Sequence, residues 1–212
     1  ARTERLAVKT AVEIAKSHGF RAYTPGEELT PGEKVFVNNH GKSAAFIVAG
    51  SQSLLNGANI TAAHIDSPRL DLKPNPLYED LELALFKTHY YGGIRKYQWT
   101  AIPLSLHGVV AKTDGSVVEI NIGDDDGDPI FVVNDLLPHL ASEQSKRPLS
   151  QGIKGEELNI LVGSVPFKDD KESNLVKLNI LNILNQKYGI TEADFLSAEL
   201  EAVPAFKAAD LG

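Results

Sequence analysis

The 212-residue chain is 42% apolar and carries a formal net charge of −7, so it can bury a core in one large or two small domains while its charge would repel a phosphate backbone. With no basic stripe, no apolar run near the roughly 20 residues of a membrane span and no secretion signal, the expectations are no nucleic acid, no membrane and a cytoplasmic location. The absence of Cys removes disulfides and thiolate metal sites, leaving imidazole and oxygen for any chemistry; the absence of Met suggests a piece of a longer polypeptide.

Along the chain, Thr3 can cap a helix whose apolar positions Val8, Ala11, Val12 and Ala15 recur at helical spacing, with Gly19 placed to end it. Strands are predicted over 34–38 and 43–50 around a turn at 38–41, the second a continuous apolar run of the buried type. A further short buried strand is predicted over 59–64, which puts His64 at a strand's C-terminal end, where open α/β sheets place ligands. The polar stretch 73–80 contains two prolines and reads as a crossover or boundary. Beyond it, 103–110 and 116–122 flank Asp114-Gly115, a strong hairpin signal. Helices are predicted over 134–144 and 174–188, the second with Leu175, Leu178, Leu181 or Asn182, and Leu184 on one face and Gly189 as its stop. A last strand is predicted over 195–203.

One constellation carries chemistry. Residues two apart in a strand point to the same side, so in His64-x-Asp66 the carboxylate can take one ring N–H while the other nitrogen binds a metal. Such a pair alone is more often a satisfied surface contact. Other features have plainer readings. The aromatic residues Tyr90, Tyr91, Tyr97 and Trp99 around Gly92-Gly93 read as packing, and His89 as structural. The acidic run 124–128 fails as an EF-hand, because placing Gly127 sixth puts Ile122 first and no Glu twelfth, leaving an acidic turn.

Longer stretches change the weight of the His-Asp pair. TAAHIDSPRLDL at 61–72, KTHYYGGIRKYQW at 87–99, LPHLASEQ at 137–144, LNILVGSVP at 158–166 and SAELEAVPAFKAADLG at 197–212 resemble the M18 metalloaminopeptidases throughout. The resemblance implies an α/β fold: part of a zinc-peptidase (phosphorylase/hydrolase-like) catalytic domain in residues 1–68, an inserted β-rich dimerisation domain in 69–196, and a return into the catalytic domain over 197–212. It implies that His64 binds one of two zinc ions, that Asp66 orients it, and that His139 reaches substrate in a partner subunit's active site. It further implies peptide substrates and a homo-oligomer, a dimer assembled into a dodecamer. The resemblance places the family's remaining ligands, a bridging Asp in an Asp-Asp-Arg-like segment, a Glu-Glu pair with the general base, a further Asp and a final His, downstream of the stretch these motifs cover. The 212-residue chain alone is therefore expected to be inactive. Two rival expectations are a non-catalytic assembly fragment and a zinc-dependent deacylase.

Overall fold

The computed structural model describes residues 1–168 and 173–212. The chain divides into two compact units, Ala1–Ser67 and Pro68–Gly212.

The first unit begins with helix α1, Glu4–Ser17, whose N-cap Thr3 accepts a hydrogen bond from the Leu6 N–H. That bond satisfies one of the free donors of the first turn. Val8, Val12 and Ala15 form the buried stripe, as their spacing predicts. A small sheet follows, in the order β1 (Arg21–Ala22), β2 (Lys34–Asn39) and β3 (Ser43–Val48), with β1 parallel and β3 antiparallel to β2. Val8 and Val12 pack on Phe36, with Phe20 and Ala44 alongside. The predicted turn is present, with His40 and Gly41 at positive φ. The buried character expected of the second strand is not: Phe46 and Ile47 are each 41% exposed and Val48 58%. α1 covers only one side, and among the described residues no further strand pairs with β3. The strand predicted over 59–64 is also absent. That segment has no regular structure, because an apolar run becomes a strand only when a neighbour takes its backbone N–H and C=O groups.

The second unit is built on a seven-stranded sheet. Its strands are β4 (Arg69–Asp80), β5 (Leu83–Tyr91), β6 (Leu104–Ala111), β7 (Val117–Ile122), β8 (Val132–Val133), β9 (Ile160–Gly163) and β10 (Ala198–Pro204), in the spatial order β7-β6-β10-β4-β5-β9-β8. The stretch 73–80, predicted to lie outside any element, is part of β4. Its ladder with β5 jumps from Leu72↔Thr88 to Leu77↔Phe86, so both prolines fall in a bulge where no ladder N–H is required of them. The hairpin that follows turns on Leu81 and Glu82, both at positive φ; without the usual Asn-Gly or Asp-Gly signal it leaves little trace in the sequence. The β6–β7 hairpin forms as predicted, turning through Gly115.

Leu70, Leu104, Ile120, Leu158 and Ile160 fill the core under the sheet. Helices α2 (Leu149–Gly152) and α3 (Leu175–Tyr188) belong to this unit, and α3 ends at Gly189 in the left-handed region. The apolar face of α3 is rotated from the predicted one: Val176, Ile180, Leu181, Leu184 and Tyr188 meet the core. Gly163 of β9 permits this approach, since a Cβ there would lie 2.6 Å from Ile180. The helix predicted over 134–144 is replaced by turns and a short 3-10 segment, Gln144–Lys146. Pro138 breaks the run by lacking an N–H, and Leu136, Leu137 and Leu140 are 55%, 60% and 63% exposed. Residues 197–204, assigned from sequence to a return segment, include the central strand β10, paired with both β4 and β6.

Candidate functional site

His64 and Asp66 lie in the first unit, on an irregular, exposed stretch. The His64 Nδ1 is 3.2 Å from the Asp66 carbonyl oxygen and 3.5 Å from its Oδ1. Both acceptors favour the tautomer with the proton on Nδ1, which leaves the Nε2 lone pair for a cation. The imidazole is 89% exposed, so nothing in this unit shields it from a ligand. Nitrogen and carboxylate oxygen suit zinc, and His64 could hold such an ion with Asp66 behind it. The described residues take the donor set no further: they contain no group of three or more His, Asp or Glu that could hold a metal.

His139 lies in the second unit, on an exposed turn closed by hydrogen bonds from the Leu140 and Ala141 N–H groups to the Leu137 carbonyl. It caps no helix. Leu137 and Leu140 flank it with their side chains in solvent while Ala141 anchors the turn in the interior. The acidic turn behaves as predicted: Asp128 accepts the Gly123 N–H at 3.0 Å, and that bond is the chief reason its carboxyl titrates below the ordinary Asp range.

Sequence reasoning missed a polar network on the sheet of the second unit. Asn121, His107, Glu201, Asp71 and His89 stand opposite one another across β7, β6, β10, β4 and β5, and directly opposed residues share a face. His107 is 1% exposed, its Nδ1 3.0 Å from Asn121 Oδ1 and its Nε2 2.8 Å from the Ser105 hydroxyl. Asp124 approaches the same Nε2 at 3.6 Å. Beside this group the Arg69 Nε faces Asp71 at 2.7 Å and Glu201 at 2.9 Å, with its guanidinium 4.2 Å from the centre of the Tyr91 ring. The alternation Leu104-Ser105-Leu106-His107 and Arg69-Leu70-Asp71-Leu72 is the signal that could have found it, since period-2 polarity marks one face of a strand.

The model of the family described as aminopeptidase I zinc metalloprotease (M18) matches residues 1–212. The chain belongs to the M18 peptidase family. It is 53% identical to a probable M18 family aminopeptidase 1 of Clostridium acetobutylicum, matching 100% of this chain and 46% of that protein. A probable M18 family aminopeptidase 1 of Thermotoga maritima is 50% identical over the same shares. Among solved structures, an M18 family aminopeptidase from Thermotoga maritima superposes with a TM-score of 0.93 at 48% identity, covering 100% of this chain and 46% of that one. An aminopeptidase I from Borrelia burgdorferi B31 gives 0.84 at 44% identity, covering 99% and 47%. This M18 chain thus spans about half the length of the relatives it matches, and both of its units lie inside the matched region. Among the described residues of the M18 chain no helix is long and apolar enough to cross a membrane.

Proposed function

We propose that the chain is part of a zinc-dependent aminopeptidase that removes N-terminal residues from peptides by metal-activated water. The observation that carries this reading is the His64–Asp66 pairing, with Nδ1 directed at Asp66, in a chain that the M18 family model matches along its whole length. His64 supplies one zinc ligand through Nε2. Asp66 accepts the Nδ1 proton, which fixes the ring and raises its basicity. Zinc, when bound, polarises the scissile carbonyl and generates hydroxide near neutral pH, most effectively as a pair of ions. Residues 1–68 then belong to the catalytic domain, and the sheet that follows, with β10 as its last strand in the sequence, forms an inserted dimerisation domain before the chain leads back. In this reading His139 reaches substrate bound to a second copy, and the exposed Leu137 and Leu140 beside it become part of a surface covered by that copy. The working protein is a homo-oligomer of such dimers, extending to a dodecamer, and acts in the cytoplasm.

The test is His64→Ala in the full polypeptide that carries this chain. Zinc content measured by mass spectrometry is expected to fall and hydrolysis of amino-acid p-nitroanilides to collapse, while circular dichroism stays unchanged. Full zinc content and full activity in the variant would overturn the ligand assignment. A second reading, a non-catalytic assembly fragment, is favoured by the lack of a three-ligand cluster among the described residues. Turnover of p-nitroanilides by the purified 212-residue chain with added zinc would exclude it.

A further inference from the structure

The segment after β5 passes through Gly92 and Gly93 into a short 3-10 turn, Lys96–Trp99. Trp99 is buried there and packs into the core, in line with the packing role expected of the aromatic cluster. Tyr97 does not share that role. It is 39% exposed and joins Ile94, Arg95 and Lys96 on one wall of a half-open cleft, whose other wall is Leu149 and Ser150 at the start of α2. The cleft encloses about 410 Å³, within the range of small-molecule sites.

Its electrostatics set it apart from the rest of the surface. The Arg95 side chain makes no hydrogen bond, ion pair or ring contact with any described residue, whereas Arg21 is held by Glu27 and Glu33, Arg69 by Asp71 and Glu201, and Arg147 by Glu157. The adjacent Lys96 has its ammonium 5.4 Å from the centre of the Tyr90 ring, an aromatic face and not a carboxylate. In a chain of net charge −7, two neighbouring cations without an acidic partner line a concave site. An exposed Arg-Lys pair on a convex surface is ordinarily just solvated. In a concave site where Ile94, Tyr97 and Leu149 stand among Arg95, Lys96 and Ser150, water screens somewhat less than on a convex surface and an anion gains from both charges together. The planar guanidinium also offers a fork that matches a carboxylate.

We propose that this cleft binds a carboxylate-bearing peptide, with the carboxylate on Arg95 and Lys96 and an apolar side chain against Ile94, Tyr97 and Leu149. A bare inorganic anion would leave those apolar walls unused. The proposal is independent of the metal reading, because it uses none of His64, Asp66 and His139.

The single Trp, Trp99, stands two residues from Tyr97 and provides a fluorescence readout, with calorimetry as a second. The 212-residue protein, with a chelator present to stop hydrolysis, is titrated with Ala-Phe, Ala-Phe amide, Asp-Phe amide and inorganic phosphate. Saturable binding of Ala-Phe, lost on amidation, assigns the carboxylate to a peptide C-terminus; saturable binding of Asp-Phe amide assigns it to an acidic side chain. Arg95→Ala should weaken binding about tenfold or more, and Arg95→Lys by less, as expected for one charge-assisted contact. Circular dichroism should remain unchanged for both variants. The proposal is overturned if neither carboxylate peptide saturates below about 10 mM, if phosphate binds as tightly as they do, or if Arg95→Ala leaves the affinity unchanged.

Discussion

Arg69 Nε lies 2.9 Å from Glu201 Oε2, joining strand β4 to strand β10 across the middle of the seven-stranded sheet. Glu201 is 5% exposed, so the nearby guanidinium offsets part of the cost of burying its carboxylate. Replacing Arg69 with Met strands a buried carboxylate, and the second unit should lose about 3 kcal/mol of stability, as when one member of a buried ion pair is removed. Urea unfolding monitored by Trp99 fluorescence measures this. Adding Glu201→Gln to Arg69→Met should restore part of the loss; a double variant as unstable as the single one contradicts the pairing.

Gly108 makes a different contribution to the same sheet. Its φ is +140°, and a Cβ added there would fall 1.9 Å from the Glu199 carbonyl oxygen on β10. Gly108→Ala therefore forces β6 and β10 apart and should destabilise the second unit by more than about 3 kcal/mol, from strain and overpacking together. A variant within experimental error of the parent in denaturant unfolding would show that the strands can separate at little cost.

The pH dependence of the first unit should be strongest at the acid end. Glu33 is held at about 2, first by the Arg21 guanidinium and then by the Thr30 N–H and hydroxyl. A depressed carboxyl stabilises the fold above its unfolded value near 4.3, and the contribution disappears as pH falls through the folded value near 2. NMR titration of the Glu33 side chain should give a midpoint well below the ordinary Glu range. In Arg21→Ala that midpoint should move upward, and an unmoved midpoint would remove Arg21 as the main cause.

His139→Ala separates catalysis from folding. The side chain is exposed, so stability should change by no more than about 0.5 kcal/mol. In the full polypeptide, zinc content should be retained while turnover of p-nitroanilides falls about 100-fold or more, as for removal of a group that stabilises the reacting oxygen. Unchanged rates would leave His139 as a surface residue.

Features governed by local chemistry were legible in the sequence. Thr3 and Gly189 mark their helix ends, Asp114-Gly115 marks its hairpin, and the periodicity of α1 identifies its buried face. Features governed by distant partners were not. The strand expected over 59–64 needs neighbours that the described residues do not supply, and the hairpin at Leu81-Glu82 uses positive φ without glycine. Pro74 and Pro76 disguised β4 because their tolerance depends on a bulge that only the pairing with β5 creates. For the candidate site, His64 and Asp66 could be selected from their spacing and their family motif. The row from Asn121 to His89 could not be read as a unit, since only the spatial order of the sheet, with β10 between β6 and β4, brings its five strands side by side.

The pairing of β4 with β10 has a consequence for how such a protein can be built. Leu70, two residues after Pro68, is the ladder partner of Ala202, two residues before Pro204, so the first and the last strand of this sheet in the sequence run side by side, only about 5 Å apart. A module whose two ends meet in this way can be inserted between two residues of another fold, enlarged or deleted while the flanking backbone barely moves. Residues 68–204 have their two ends side by side, so changes elsewhere in the sheet leave the spacing of those ends unaltered.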